Sequence, residues 1–244
     1  MTNAELQIKV KERLNKLASL DYDNFECWQI VEAFNKAQLE WIRRQVVGAN
    51  QLQSGEGSTK VNYDDLQRLV KTVTVLGTTN TSAPASWTSI SFDTLDPANP
   101  KDYLYYSSVY VTANDQCCPN VDRNIIVYMV DKADLYVILR DENKKPSFEW
   151  GETVGILSDN KLTIYTDNQF QIDSVNMTYY RKPIPVEFQN CINVSTGQAT
   201  GDVPCEFKDD VAEILVDNAV AILAADIESF NQYTRATNSV QNNT

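Results

Sequence analysis

Thr153-Val-Gly-Ile-Leu-Ser-Asp-Asn-Lys-Leu-Thr-Ile-Tyr165, Phe170-Gln-Ile-Asp-Ser-Val-Asn-Met-Thr-Tyr-Tyr-Arg-Lys-Pro183 and Asp210-Val-Ala-Glu-Ile-Leu215 decide the fold. Ser158-Asp-Asn160 and Asp167-Asn-Gln169 are tight-turn residues. They separate three runs of β-forming residues, Thr153 to Leu157, Lys161 to Tyr165 and Phe170 to Tyr180. Pro183 closes the last run, because proline cannot donate to a ladder. After a linker, Val211, Ile214, Leu215, Ala219, Ile222, Leu223, Ile227 and Phe230 recur at helical spacing. Hairpins alone cannot bury that stripe, so it needs other helices.

The candidates lie at the opposite end. Thr2-Asn-Ala-Glu5 is a capping box, and Leu6, Val10, Leu14 and Leu17 follow it at helical spacing to a stop near Leu20. Asp23-Asn-Phe-Glu26 repeats the signature before a second helix. Ile30, Val31, Phe34, Ala37, Trp41 and Ile42 give that helix a broad apolar face ending near Gly48. The sequence therefore predicts an α+β fold. Terminal helices pack together as a helical layer against a central, mostly antiparallel β domain. The expected division is a helical hairpin over 1–48, a β-rich middle with short helices over 49–207, a helix over 208–233 packing on the hairpin, and a flexible tail over 234–244.

Within the middle, Gln51 to Lys60 reads as a mobile polar loop and Tyr63 to Val70 as a short helix before a strand at Thr72 to Leu76. Trp87 to Thr94, Tyr103 to Thr112 and Ile125 to Val130 read as strands, with a turn at Asp96 to Pro100. Asp131 is placed to cap a helix over Lys132 to Glu142 with Leu135, Ile138 and Leu139 inward; Lys144-Lys145-Pro146 ends it.

The 244 residues carry a net charge of −12, which disfavours sequence-reading of DNA. Such a charge suits a surface past which DNA moves without sticking. No apolar run reaches bilayer-spanning length, so no membrane partner is expected. Histidine is absent, which excludes histidine-dependent nucleophile pairs and histidine-ligated metals. The five cysteines, Cys27, Cys117, Cys118, Cys191 and Cys205, are odd in number and follow no signal peptide. They read as reduced thiols of a cytosol. Cys117-Cys118-Pro119 lacks the spacing of a zinc site.

Glu149 and Glu152 flank Trp150-Gly151 and are the first candidates for carboxylate catalysis. Three residues apart, they fall on opposite faces of a strand. Surface carboxylates are the simpler reading. Gly55-Glu-Gly57-Ser58 lacks the features of a phosphate loop, and Asp131, Asp134 and Asp141 do not match a calcium loop. No catalytic residue, cofactor or metal is expected. The basic pairs Arg43-Arg44, Lys144-Lys145 and Arg181-Lys182 stand out against the acidic background. Each reads as solvated charge or as a contact for an acidic neighbour. Arg181 has a further reading, in which it holds a carboxylate bidentately and locks the strand–linker corner.

Several segments resemble a virion structural protein of crAss-like bacteriophages: Thr2-Asn-Ala-Glu-Leu6, Phe34-Asn-Lys-Ala-Gln-Leu-Glu-Trp41, Lys145-Pro-Ser-Phe-Glu-Trp-Gly-Glu-Thr153, Ile164-Tyr165-Thr166 and Met177-Thr-Tyr-Tyr-Arg-Lys-Pro183. The helix over Val211 to Phe230 is similar to helices of podovirus-type head-to-tail connector subunits. The resemblance implies a non-enzymatic ring protein of the phage neck or tail, assembled in the host cytoplasm. Its implied partners are identical subunits, about twelve by portal symmetry, the portal, other tail or neck ring proteins, and phage DNA passing through the lumen. The subunit-interface candidates are Arg43, Arg44, Gln53, Lys60, Arg181, Lys182, Thr234, Asn238 and Thr244. The competing reading is a glycan-binding tail-fibre or capsid-decoration module that uses exposed aromatic residues.

Overall fold

The computed structural model of the chain describes residues 1–15, 25–47, 64–80, 86–95, 101–115, 122–193, 196–226, 234 and 237–238. In chain order the elements are α1 (Asn3–Asn15), α2 (Cys27–Val47), β1 (Val70–Val75), β2 (Thr78–Asn80), β3 (Trp87–Ser91), a 3-10 turn (Phe92–Thr94), β4 (Tyr103–Asp115), β5 (Asp122–Met129), α3 (Leu135–Arg140), β6 (Glu152–Ser158), β7 (Lys161–Tyr165), β8 (Phe170–Arg181) and α4 (Asp209–Asp226). The expected α+β class is what forms. The chain divides into two compact units, one of residues 1–68 with 183–244 and the other of residues 69–182.

The first unit joins the two ends of the chain. α4 is buried almost all round: Val211, Ala212, Leu215, Val216, Ala219, Val220, Leu223 and Ala224 all lie inside. α1 covers it with Leu6, Val10 and Leu14, and α2 with Ile30, Phe34, Ala37, Trp41 and Ile42. Trp41 meets Phe207 edge-on, with ring centroids 5.3 Å apart. The capping box forms as read: the Glu5 N–H donates to Thr2 Oγ1 at 3.2 Å, and the Thr2 N–H donates to Glu5 Oε2 at 2.9 Å. The second box is displaced. α2 starts at Cys27, and Gln29 Oε1 accepts from the Glu26 N–H at 3.0 Å. Glu26 and Gln29 thus serve the end that the sequence reading gave to Asp23 and Glu26. The expectations at Leu17, Leu20, Asp23, Gly48, residues 51–60, residues 96–100, Ile227, Phe230 and the helix end near 233 lie outside the described residues.

The linker after β8 is fastened to the helices. Asn35 makes a two-way clasp with Val186, accepting from its N–H at 2.8 Å and donating to its carbonyl at 3.2 Å. Asn3 Nδ2 donates to the carbonyls of Glu187 and Val203, at 2.9 and 3.1 Å. Cys27 and Cys191 form a disulfide with Cα atoms 5.9 Å apart. This corrects the expectation of unpaired thiols for these two. The packing of the linker on the first turn of α2 brings together residues 164 apart in sequence. Cys205 is a free thiol whose pKa burial raises. Cys117 and Cys118 lie outside the described residues.

The second unit is one sheet in the order β1-β8-β4-β5-β6-β7-β3-β2. Its pairs are antiparallel except β5 with β6. A parallel pair needs a crossover, commonly helical, and α3 lies within it. Leu135 packs with Ile138 and Leu139 on Val154 and Ile156 of β6. Asp131 does not cap α3: its carbonyl accepts from the Asp134 N–H in a turn, and α3 is six residues long, shorter than expected. β3 also ends early, because Phe92 and Leu95 turn into the core. Asp159 and Asn160, like Asp167 and Asn168, have positive φ at both central positions. Asp159-Asn160 closes the β6–β7 hairpin as expected, but Asp167-Asn168 joins β7 to β8, which pair with different strands, so the second expected hairpin does not form.

Val75 ends one edge of this sheet and Thr78 begins the other. Leu76 and Gly77 alone join them, a span of at most about 11 Å. The sheet therefore curls until its edges meet, around Val109, Val111, Ile125, Val127, Leu162, Ile164, Met177 and Tyr179. Gly77 sits where the edges close, and a Cβ there would lie 2.1 Å from Thr88 Cγ2, a buried side chain. Gly77→Ala is expected to destabilise the protein by about 1–3 kcal/mol through overpacking, read as a lower urea midpoint. Gly201→Ala, with open space around it, should leave the midpoint nearly unchanged.

α1 and α4 are also joined by charge. Lys9 and Arg13 pair with Glu213, and Arg13 also pairs with the buried Asp217 and donates to the Glu213 carbonyl at 3.1 Å. Burial alone would raise the pKa of Glu213, but the hydrogen bonds and charges of Lys9 and Arg13 outweigh it and hold the carboxyl below its ordinary 4.5. A lowered carboxylate pKa contributes stability above the unfolded-state value, and that contribution is lost as pH falls through the folded-state value. Arg13→Ala should cost about 1.5–3 kcal/mol at neutral pH, since Asp217 loses a charged partner. In urea titrations the gap between the variant and the unaltered chain should narrow below pH 4.5.

Candidate functional site

The basic pairs take different places. At the end of α2, Arg43 is exposed and Arg44 half-buried. Lys144 and Lys145 face Asp141 and Glu142 at 4.0 and 2.8 Å, so this pair is occupied by its own turn. Arg181 is half-buried and Lys182 exposed where β8 runs out. Gln53, Lys60 and Thr244 lie outside the described residues. Thr234 and Asn238 are exposed and helical, and Thr237 Oγ1 donates to the Thr234 carbonyl at 3.0 Å.

The strand–linker corner is pinned by Asp102. Its carboxylate accepts from Tyr179 Oη at 2.9 Å and from Lys71 Nζ at 3.0 Å. Its carbonyl accepts the Lys182 N–H at 2.7 Å. Arg181 Nη1 donates to the Lys182 carbonyl at 3.1 Å, and the Arg181 N–H donates to the Leu69 carbonyl at 2.9 Å. Asp102 thus holds the corner through Tyr179 and Lys71, whereas the sequence reading assigned that clamp to the Arg181 guanidinium, which donates to the Lys182 carbonyl. Tyr179 stands in an aromatic group with Tyr103, which stacks on Phe92 with centroids 4.0 Å apart. Burial raises the pKa of Tyr103.

Residues 147–152 form a tight turn that lifts one large side chain into water. The Ser147 N–H donates to the Glu152 carbonyl at 2.9 Å, and the Gly151 N–H donates to the Ser147 carbonyl at 3.1 Å. Gly151 adopts φ 71°, a left-handed conformation that favours glycine. Arg123 braces the turn from below: its Nη1 donates to the carbonyls of Phe148 and Glu149 at 2.9 and 2.7 Å. Trp150 is held at the apex, 80% exposed, between the exposed Glu149 and Glu152. Tyr128 Oη donates to Glu152 Oε1 at 3.4 Å.

On the helical unit, a groove of about 510 Å³ runs between α2 and residues 191–193 with Thr200. Trp28, Val31, Leu39, Cys191 and Ile192 form its apolar wall, and Glu32, Asn35 and Lys36 its polar rim. Leu39 and Ile192 are exposed. A smaller groove of about 280 Å³ shares Trp28, Glu32 and Lys36 with it and reaches Ile222 and Leu223. Neither groove was foreseen. Trp28 and Leu39 look like ordinary helix residues, and only the folded linker makes their face concave. Among the described residues, no group of three or more cysteine and acidic side chains is placed to hold a metal. No described helix is long and apolar enough to cross a membrane.

Comparison with known proteins adds one finding. None of the curated proteins compared with the chain matches it. Residues 1–238 match the family model for phage tail ring protein 3/4, named for the crAss-like phages. That match covers both compact units, including the helices from both termini and every strand described above. It agrees with the resemblance carried by the segments around Trp41, Trp150 and Tyr179. The chain belongs to the phage tail ring protein 3/4 family of crAss-like phages and is a structural protein of the virion tail, built to assemble with other tail proteins.

Proposed function

We propose that this ring protein forms part of the portal-to-tail connector and lines the path of the DNA. The observation that carries this reading is the charge. A net −12 on 244 residues, repeated around a ring, repels a polyanion at the lumen wall, so DNA slides instead of sticking. About twelve copies would match the symmetry of a portal stacked above. Assembly takes place in the host cytoplasm, where Cys27 and Cys191 begin as thiols. The protein's work is mechanical and not catalytic. Interface contacts come from Arg43, Arg44, Arg181 and Lys182, together with residues 51–60 and the tail over 234–244.

Two experiments test this. Electron microscopy of virions should show the protein as a closed ring on the tail axis, below the portal, with about twelve copies. A position elsewhere in the virion removes the conduit role. Deleting residues 234–244 should leave a subunit with an unchanged melting temperature that no longer enters particles. Normal incorporation of the truncated chain removes the tail from the interface.

A further inference from the structure

We propose that Trp150 of one subunit seats in the groove between α2 and residues 191–193 of the neighbouring subunit, as the side-to-side contact of the ring. The inference rests on the ring reading. A ring closes through heterologous contacts, in which two different patches of the same chain meet on neighbouring copies. This chain carries such a pair: an apolar knob and an apolar groove.

The knob is built for contact. An indole 80% exposed offers a large apolar surface to a partner, and tryptophan is enriched at interfaces relative to the rest of the surface. It is also held rigidly, since Arg123 and the left-handed Gly151 fix the turn beneath it. Little conformational freedom is then lost on docking, and a buried tryptophan is the side chain most often found at the energetic centre of an interface. A tryptophan buries roughly 150–250 Å², and a groove of about 510 Å³ has room for it.

The rims carry complementary charge. Glu149 and Glu152 flank the knob, both exposed. Lys36 lies exposed on the rim of the groove, one turn of α2 after Glu32 and one before the half-buried Glu40. Lys36 is the base of the rim. The acids beside the knob meeting Lys36 and not Glu32 or Glu40 orient the knob in the groove.

Photo-cross-linking tests the contact. Full-length chains carrying p-benzoylphenylalanine at position 150 are assembled into tails from a mixture of light and nitrogen-15-labelled subunits. Cross-linked peptides joining position 150 to residues 28–39 or 191–193 are expected in mixed-isotope pairs, which marks them as intersubunit. Lys36→Glu should lower their yield about tenfold, and Glu152→Lys in the same chain should restore it. Same-isotope pairs only, cross-links to other tail proteins only, or no cross-link overturn the proposal. So does retention on a glycan array that Trp150→Ala abolishes. Particle images separate the two readings: a ring without the expected cross-link removes only the docking contact, and no ring removes both.

Discussion

The burial of α4 is the constraint on which the helical unit depends. Its apolar residues do not form a stripe with a wet back. Val211, Leu215 and Ala219 lie inside, and so do Ala212, Val216 and Val220 on the flank. A helix apolar on most of its circumference must be covered from more than one side. α1 and α2 do this together, and they come from the other end of the chain. Neither terminal region can bury its apolar face without the other. The unit should therefore form late, after the β region between its two halves has been made. The long-range disulfide and the clasps of Asn3 and Asn35 on the linker then fix what the apolar contact brings together.

The sheet solves a different problem. An open eight-stranded sheet would leave two unpaired edges, each a template for unwanted pairing. Here the two edges are consecutive in the chain, separated by Leu76 and Gly77. Curling the sheet brings them together and encloses the core. The closing point is tight enough that glycine is the residue that fits without displacement. Gly155 plays a similar part on β6, where a Cβ would lie 2.8 Å from Val127 Cγ1. β6 is also the strand covered by α3, so it is buried on both faces. Its buried run, Thr153-Val-Gly-Ile156, reflects that double burial.

What was legible in the sequence followed local rules. The Thr2–Glu5 box, the left-handed Asp-Asn turns and the helix of α4 as far as Asp226 each depend on residues within a few positions of one another, and each formed. The start of α2 was misread because Asp23 and Glu26 satisfy the same pattern as Glu26 and Gln29, and spacing cannot choose between overlapping boxes. Asp131 failed as a cap for a related reason: its carbonyl closes a turn before the helix begins. The Cys27–Cys191 pair, the groove beside it and the Asp102 corner join residues tens to more than a hundred positions apart. No periodicity reports such meetings. Trp150 was visible as an aromatic between two glutamates. Its exposure was not, because that depends on Arg123 reaching the turn from β5.

Charge sets the remaining condition on assembly. Each subunit brings 33 acidic and 21 basic side chains, so every copy added to a ring meets a like-charged neighbour. Ordinary salt screens that repulsion beyond about 8 Å, while contacts inside that distance feel it fully. An acidic subunit can therefore form a ring only if its short-range contacts are apolar or place its minority of bases against acids. Several bases are committed within the subunit: Lys9 and Arg13 to α4, Lys71 to Asp102, Arg123 to the turn below Trp150, and Lys208 to Asp64 and Asp65. Other bases are exposed, among them Lys36 and Arg43 on α2 and Lys182 after β8. Their position then decides which faces of two subunits can approach, and in a closed ring that choice also sets which acidic faces are turned toward the axis.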